Sequence, residues 1–160
     1  MDKSRIFRLI VDQIAQDQST LFNAAKTAHE ASIHEENIPD NKYDTLGLEA
    51  SYVAQGQANR AQEIRLALDT YNQLTLQSFD EFSAIRLTAL VTLRSKDGSM
   101  RTVFIGPLEG GLRIHVDTNE IMVITPGSPL GKNLIGKCVG DIVETGSGSS
   151  RKEIEIIEVC

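Results

Sequence analysis

The sequence predicts an α+β chain: an N-terminal antiparallel coiled-coil hairpin over 1–78, then a small antiparallel β domain with one short helix over 79–160. Three observations carry this. Apolar residues recur at threes, fours and sevens through the first half of the chain. From Ala84 onward the period falls to two. Between two strand-like runs, the stretch from Thr125 to Lys137 spells out a short helix with its own start and stop signals.

The helical half is read first. Phe7, Val11, Ile14, Leu21, Ala25 and Ala28 lie on one stripe of a first helix, and Leu46, Ala50, Val53, Ala61, Ile64, Leu68 and Tyr71 on one stripe of a second. Each helix runs about thirty residues, beyond the usual globular length and within coiled-coil range. Pro39, with Asn37, Asp40 and Asn41 around it, breaks the pattern. A connection this short makes the helices antiparallel neighbours. Phe7 is then expected near Tyr71, Ile14 near Ile64, and Ala25 near Val53. The small residues Ala24, Ala25 and Ala28, facing Ala50 and Ala54, predict a close approach toward the turn. At about 1.5 Å per residue the hairpin would project roughly 45 Å.

That turn is acidic. Between Glu35 and Glu49 stand Glu35, Glu36, Asp40, Asp44 and Glu49 against the single base Lys42. One reading is a solvated turn whose acids favour the positive end of the second helix, with Asp44 as its N-cap. The other is a set of carboxylates offered to a hard cation such as Mg²⁺. His29 and His34 are five apart, not the four of a helical metal pair, and His115 reads as an ordinary strand residue.

In the second half, Leu87, Ala89, Val91 and Leu93 alternate with polar neighbours, and Lys96-Asp97-Gly98-Ser99 is a hairpin turn. Further strands are expected at 101–105, 112–116, 121–124, 138–145 and 151–159. Within the capped helix, Ser128 is the N-cap, Pro129 suits the first helical position, and Gly136 is free to take positive φ beyond the end. Ser128 lacks a nucleophile-elbow context, and no glycine-rich phosphate loop occurs, so the chain is not expected to be an enzyme by itself.

Composition bounds the rest. The net charge of −6 gives no whole-chain attraction for nucleic-acid phosphates. Two cysteines, Cys138 and Cys160, make neither a disulfide framework nor a zinc spacing. No window approaches the roughly 20 apolar residues of a membrane span, and the first residues lack the long apolar run expected of a signal peptide. A soluble cytoplasmic protein is expected.

A long helical hairpin followed by a β-rich domain carrying Ser128-Pro129-Leu130, then Leu134-Ile135-Gly136-Lys137 and Val139-Gly140-Asp141, resembles the Gre family of bacterial transcription elongation factors. The resemblance implies an FKBP-like C-terminal domain that docks on RNA polymerase at the mouth of its secondary channel. It implies a coiled coil entering that channel, with indirect contact to nascent RNA, and a monomer with no membrane partner. No tightly bound cofactor is implied. The Mg²⁺ would be that of the polymerase active centre, held in part by tip carboxylates, and the polymerase itself would cleave backtracked RNA. On this sequence the tip candidates are Asp44 and Glu49, with Asp40 in reserve. The docking candidates are Gly127, Ser128, Pro129, Leu130 and Gly131. Cleavage factors of the family carry an Asp and a Glu three residues apart shortly before a tyrosine. Counting back from Tyr52, those positions are Thr45 and Leu48, while Asp44 and Glu49 stand one residue away from each. Alternatives are a channel-binding regulator without cleavage stimulation, a coiled-coil dimerisation module, and a peptidyl-prolyl isomerase. The last would need an aromatic-lined pocket that Phe82 and Phe104 alone scarcely furnish.

Overall fold

The computed structural model describes residues 2–35, 45–146 and 151–160, with side chains described outside 29, 31–35 and 45–51. The chain parts into two compact units, Val11–Asn72 and Met1–Ile10 with Gln73–Cys160.

The helical periodicity yields α1 (Lys3–Glu35) and α2 (Thr45–Gln73), the two arms of the hairpin, of 33 and 29 residues. The connection, with Asp40 and Asp44, lies outside the described residues. In the first compact unit, Ile14 of α1 and Ile64, Ala67 and Tyr71 of α2 are buried, the last three at steps of three and four along one face. Earlier in α1 the buried positions are Ile6 and Ile10, one residue away from the expected Phe7 and Val11, which are only half-buried. Both registers satisfy a four-residue period, so the sequence alone does not separate them.

Among the described side chains the close approach expected of the alanines is not found, and that of Ala50 lies outside them. Leu21, Ala25 and Ala28 of α1 and Val53, Ala54 and Ala58 of α2 line an open cleft of about 980 Å³. Phe22 and Val53 remain 70% and 60% exposed. Methyl side chains remove little apolar surface from water and so pull helices together weakly. Gln18, Gln57 and Arg65 add polar groups to the cleft walls.

The second unit is built on a six-stranded sheet. Its strands are β1 (Leu90–Ser95), β2 (Met100–Ile105), β3 (Arg113–Val116), β4 (Asn119–Ile124), β5 (Ile142–Thr145) and β6 (Lys152–Val159). Their order is β3-β4-β2-β1-β6-β5. All neighbours are antiparallel except β2 and β4, which run parallel with Thr102 opposite Ile121 and Phe104 opposite Val123. The β1–β2 turn forms as the sequence predicts. Gly98 takes φ +82, and the Asp97 carboxylate accepts from the Ser99 amide and hydroxyl, which hold its pKa below the usual carboxylate value.

Both faces of the sheet are covered. One carries Val91, Leu93, Val103, Ile105, Ile154 and Ile156, packed with Leu134 of the short helix α3 (Pro129–Leu134). The other carries Phe104, whose ring centroid lies 6.2 Å from that of Phe7 near the start of α1. Central strands covered on both sides lose the clean in–out alternation, and β2 is accordingly buried at four consecutive positions, Thr102 to Ile105.

Two expected strand starts move by three residues or more. β1 begins at Leu90, because Thr88 takes φ +70 and its buried hydroxyl accepts from the Gln77 amide at 3.0 Å. The strand expected from Cys138 begins at Ile142, because Gly140 takes φ +88 and the Asp141 carboxylate closes a turn on the Cys138 amide at 2.9 Å. The strap between α2 and β1 is pinned at Phe79, whose ring has Lys3 Nζ and the Arg86 guanidinium carbon each 4.5 Å from its centroid. Arg86 Nε also donates to Gln77 Oε1.

Candidate functional site

The two sets of candidate residues meet different descriptions. Glu49 belongs to α2 by its backbone, with its side chain outside the described set, and Asp40 and Asp44 lie outside it altogether. Among the described residues no group of three or more His, Cys, Asp or Glu is placed to hold a metal ion. His115 is exposed on β3, with Nε2 3.4 Å from Glu120.

The segment 125–137 is described in full, and its local chemistry follows the sequence closely. Ser128 is the N-cap of α3, with extended φ and ψ of −68° and 157°. Its hydroxyl accepts from the Gly131 amide at 3.1 Å and donates to the Thr125 carbonyl at 2.8 Å. Both hydroxyl functions are therefore spent inside the loop. Pro129 occupies the first helical turn, where its missing N–H costs nothing. Past the C-cap at Ile135, Gly136 takes φ +80 and donates its N–H to the Ile85 carbonyl at 2.8 Å, while the Lys137 carbonyl accepts from Ile85 at 2.7 Å. This ties the helix exit to the strap before β1.

The five candidates at the helix start thus do different things. Gly127 and Pro129 are exposed and free to meet another molecule. Leu130 is half-buried against the core of the sheet. Gly131 is buried, and a Cβ built on it would lie 2.0 Å from the Thr125 carbonyl oxygen. The loop Thr125–Ser128 folds directly over this glycine. Nothing local in the sequence announces that, since the contact is made by the preceding turn and not by a positive φ.

A family model described as transcription elongation factor, GreA/GreB, C-term matches residues 81–160, the whole β domain from β1 to β6. The chain belongs to the GreA/GreB family. Among curated proteins no sequence matches it significantly. Solved structures similar to this GreA/GreB family member include GreA factor homolog 1 (Gfh1) of Thermus thermophilus. That match has 17% identity and a TM-score of 0.38, and covers 94% of each chain. Gfh1 of Thermus aquaticus has 19% identity and a TM-score of 0.39, covering 92% of each. A GreA/GreB factor of Nitrosomonas europaea has 15% identity and a TM-score of 0.37, covering 60% of this chain and 78% of that one. No helix among the described residues is long and apolar enough to cross a membrane.

One consequence for this family member is local to the cap. Ser128→Ala removes the acceptor for the Gly131 amide and the donor to Thr125, and is expected to cost about 1 kcal/mol. Thermal unfolding of the purified chain reads it. Restoration by Ser128→Asp would identify capping as the cause, since an aspartate can accept the same amide.

Proposed function

We propose that the chain docks on bacterial RNA polymerase at the mouth of the secondary channel through the surface around Gly127 and Pro129, and acts there on stalled or backtracked complexes. The observation that carries this reading is the GreA/GreB match over 81–160, joined in one chain to helices of 33 and 29 residues. A docking domain with no further task needs no such helices. At about 1.5 Å per residue each is long enough to carry its far end roughly 45 Å.

On this reading Asp44 and Glu49, with Asp40 in reserve, help hold a Mg²⁺ of the polymerase active centre. Carboxylate oxygens are the ligands such a hard cation takes. Held by those carboxylates, the ion would supply Lewis-acid stabilisation of the charge that develops as the RNA phosphodiester is displaced, and the polymerase performs the RNA cleavage. A second reading is favoured by a specific observation. The positions three apart before Tyr52 are Thr45 and Leu48, both within α2 and neither acidic. A factor lacking acids there would occupy the channel and regulate transcription without stimulating cleavage.

A transcript-cleavage assay on backtracked complexes separates the two. The first reading expects the wild-type chain to accelerate cleavage, and Asp44→Ala and Glu49→Ala each to reduce that by about tenfold or more. Binding to polymerase with no acceleration establishes the second. A wild-type chain that does not bind core polymerase overturns both.

A further inference from the structure

We propose that Lys132, Ile135, Lys137, Ile142 and Arg151 form a docking surface for an acidic polymerase segment that carries an apolar side chain. The inference rests on the polymerase-docking reading above and extends that contact beyond residues 127–131.

The residues come from three places in the sequence and line one concavity of about 470 Å³ between the exit of α3 and β5. Ile135 caps the helix and is 38% exposed, and Ile142 opens the strand and is 62% exposed. A single exposed isoleucine needs no explanation. Two sharing a recess ringed by cations are less ordinary.

The charge of the recess opposes that of the chain. The protein as a whole carries −6. Here three cations, Lys132, Lys137 and Arg151, face one carboxylate, Glu144. Glu144 is already held by Arg151 Nε at 3.1 Å. Neither lysine has a carboxylate within ion-pair distance among the described residues, so the recess has a net positive charge. The scaffold beneath is fixed. Leu134 is fully buried, Asn133 Nδ2 donates to the Glu144 carbonyl at 2.7 Å, and the backbone of Gly136 and Lys137 is hydrogen-bonded to Ile85. Cations and isoleucines are therefore presented with little further ordering to be done on binding.

The chemistry selects among occupants. β5 is an edge strand, but Asn133 already takes the Glu144 carbonyl, which works against an added strand. A nucleic-acid strand would use the lysines and leave both isoleucines in water, and no aromatic residue lines the recess for a base to stack on. A protein segment with carboxylates flanking one aliphatic or aromatic side chain uses every feature: its apolar group between Ile135 and Ile142, its acids on the lysines.

The test measures binding of the full-length chain to core polymerase across a range of salt concentrations, with duplex DNA and single-stranded RNA as separate probes. Lys132→Glu combined with Lys137→Glu is expected to weaken polymerase binding about tenfold or more and to flatten its salt dependence. Ile142→Ser is expected to weaken it several-fold with the salt dependence intact. All the substituted side chains are exposed, and unchanged thermal unfolding verifies that the fold survives. Variants that bind polymerase as the wild type does overturn this surface while leaving the docking reading in place. Wild-type binding to DNA or RNA that the double variant loses overturns it in favour of a phosphate site. A wild-type chain without affinity for polymerase overturns the docking reading, and this inference with it.

Discussion

Phe104→Ala is expected to lower stability by about 4 kcal/mol, the scale found when a large aromatic side chain is removed from a closed core. Phe104 is wholly buried on β2, the central strand pairing on one side with β1 and on the other with β4. Its neighbours across the strands are Leu90 and Val123, and its ring meets that of Phe7. Truncation therefore opens a cavity between the sheet and the first turns of α1. Main-chain pairing on both sides holds the strand in place, so the cavity can close only in part. Calorimetry on the purified chain should show the β-domain transition displaced by roughly 20 °C. Phe104→Leu, which refills most of the volume, should recover more than half of the loss. A Phe104→Ala protein melting within a few degrees of the wild type would show that the sheet and α1 do not depend on this contact.

Gly131→Ala adds a single methyl group, yet a cost of about 3 kcal/mol is expected. The new carbon would stand 2.0 Å from the Thr125 carbonyl oxygen and 2.9 Å from Ser128 Oγ. Neither atom can step aside freely. The Thr125 carbonyl accepts from the Ser128 amide at 3.0 Å and from its hydroxyl at 2.8 Å, and that hydroxyl also caps Gly131. Relieving the clash breaks the cap and lifts the loop from α3. Gly127→Ala is the matched control. Its Cβ meets nothing within 4 Å and its φ is not positive, so it should stay within about 0.5 kcal/mol of the wild type. If the two alanine variants melt together, the close approach of Thr125 to Gly131 is not a constraint on this loop.

Such contrasts mark the division between local and long-range information. Wherever a few neighbouring residues settle the backbone by their own geometry, the sequence alone determined the outcome. Ser128 and Pro129 start α3, and Lys96 to Ser99 turn β1 into β2, by interactions spanning four or five residues, and Gly136 stops α3 by taking a positive φ. The helical period likewise determined α1 and α2, and the order of hairpin and β domain pointed to the GreA/GreB family before any coordinates. Of the candidate site, the helix start at 127–131 was legible for this reason, whereas the arrangement of Asp40, Asp44 and Glu49 depends on a turn beyond the described residues.

The tertiary structure decided what depends on partners far along the chain. It selected Ile6 and Ile10 over Phe7 and Val11 as the most buried residues at the start of α1, a choice two equally periodic stripes leave open. It set β2 parallel to β4, although four residues or more of alternating pattern read the same in either direction. It held Thr88 at positive φ, where a β-branched residue stays only because the surrounding hydrogen bonds and burial hold it there. It also brought Arg151 to the same recess as Lys132 and Lys137. Periodicity and caps act over a few bonds, whereas burial, register and the meeting of distant charges are fixed only when the whole sheet closes.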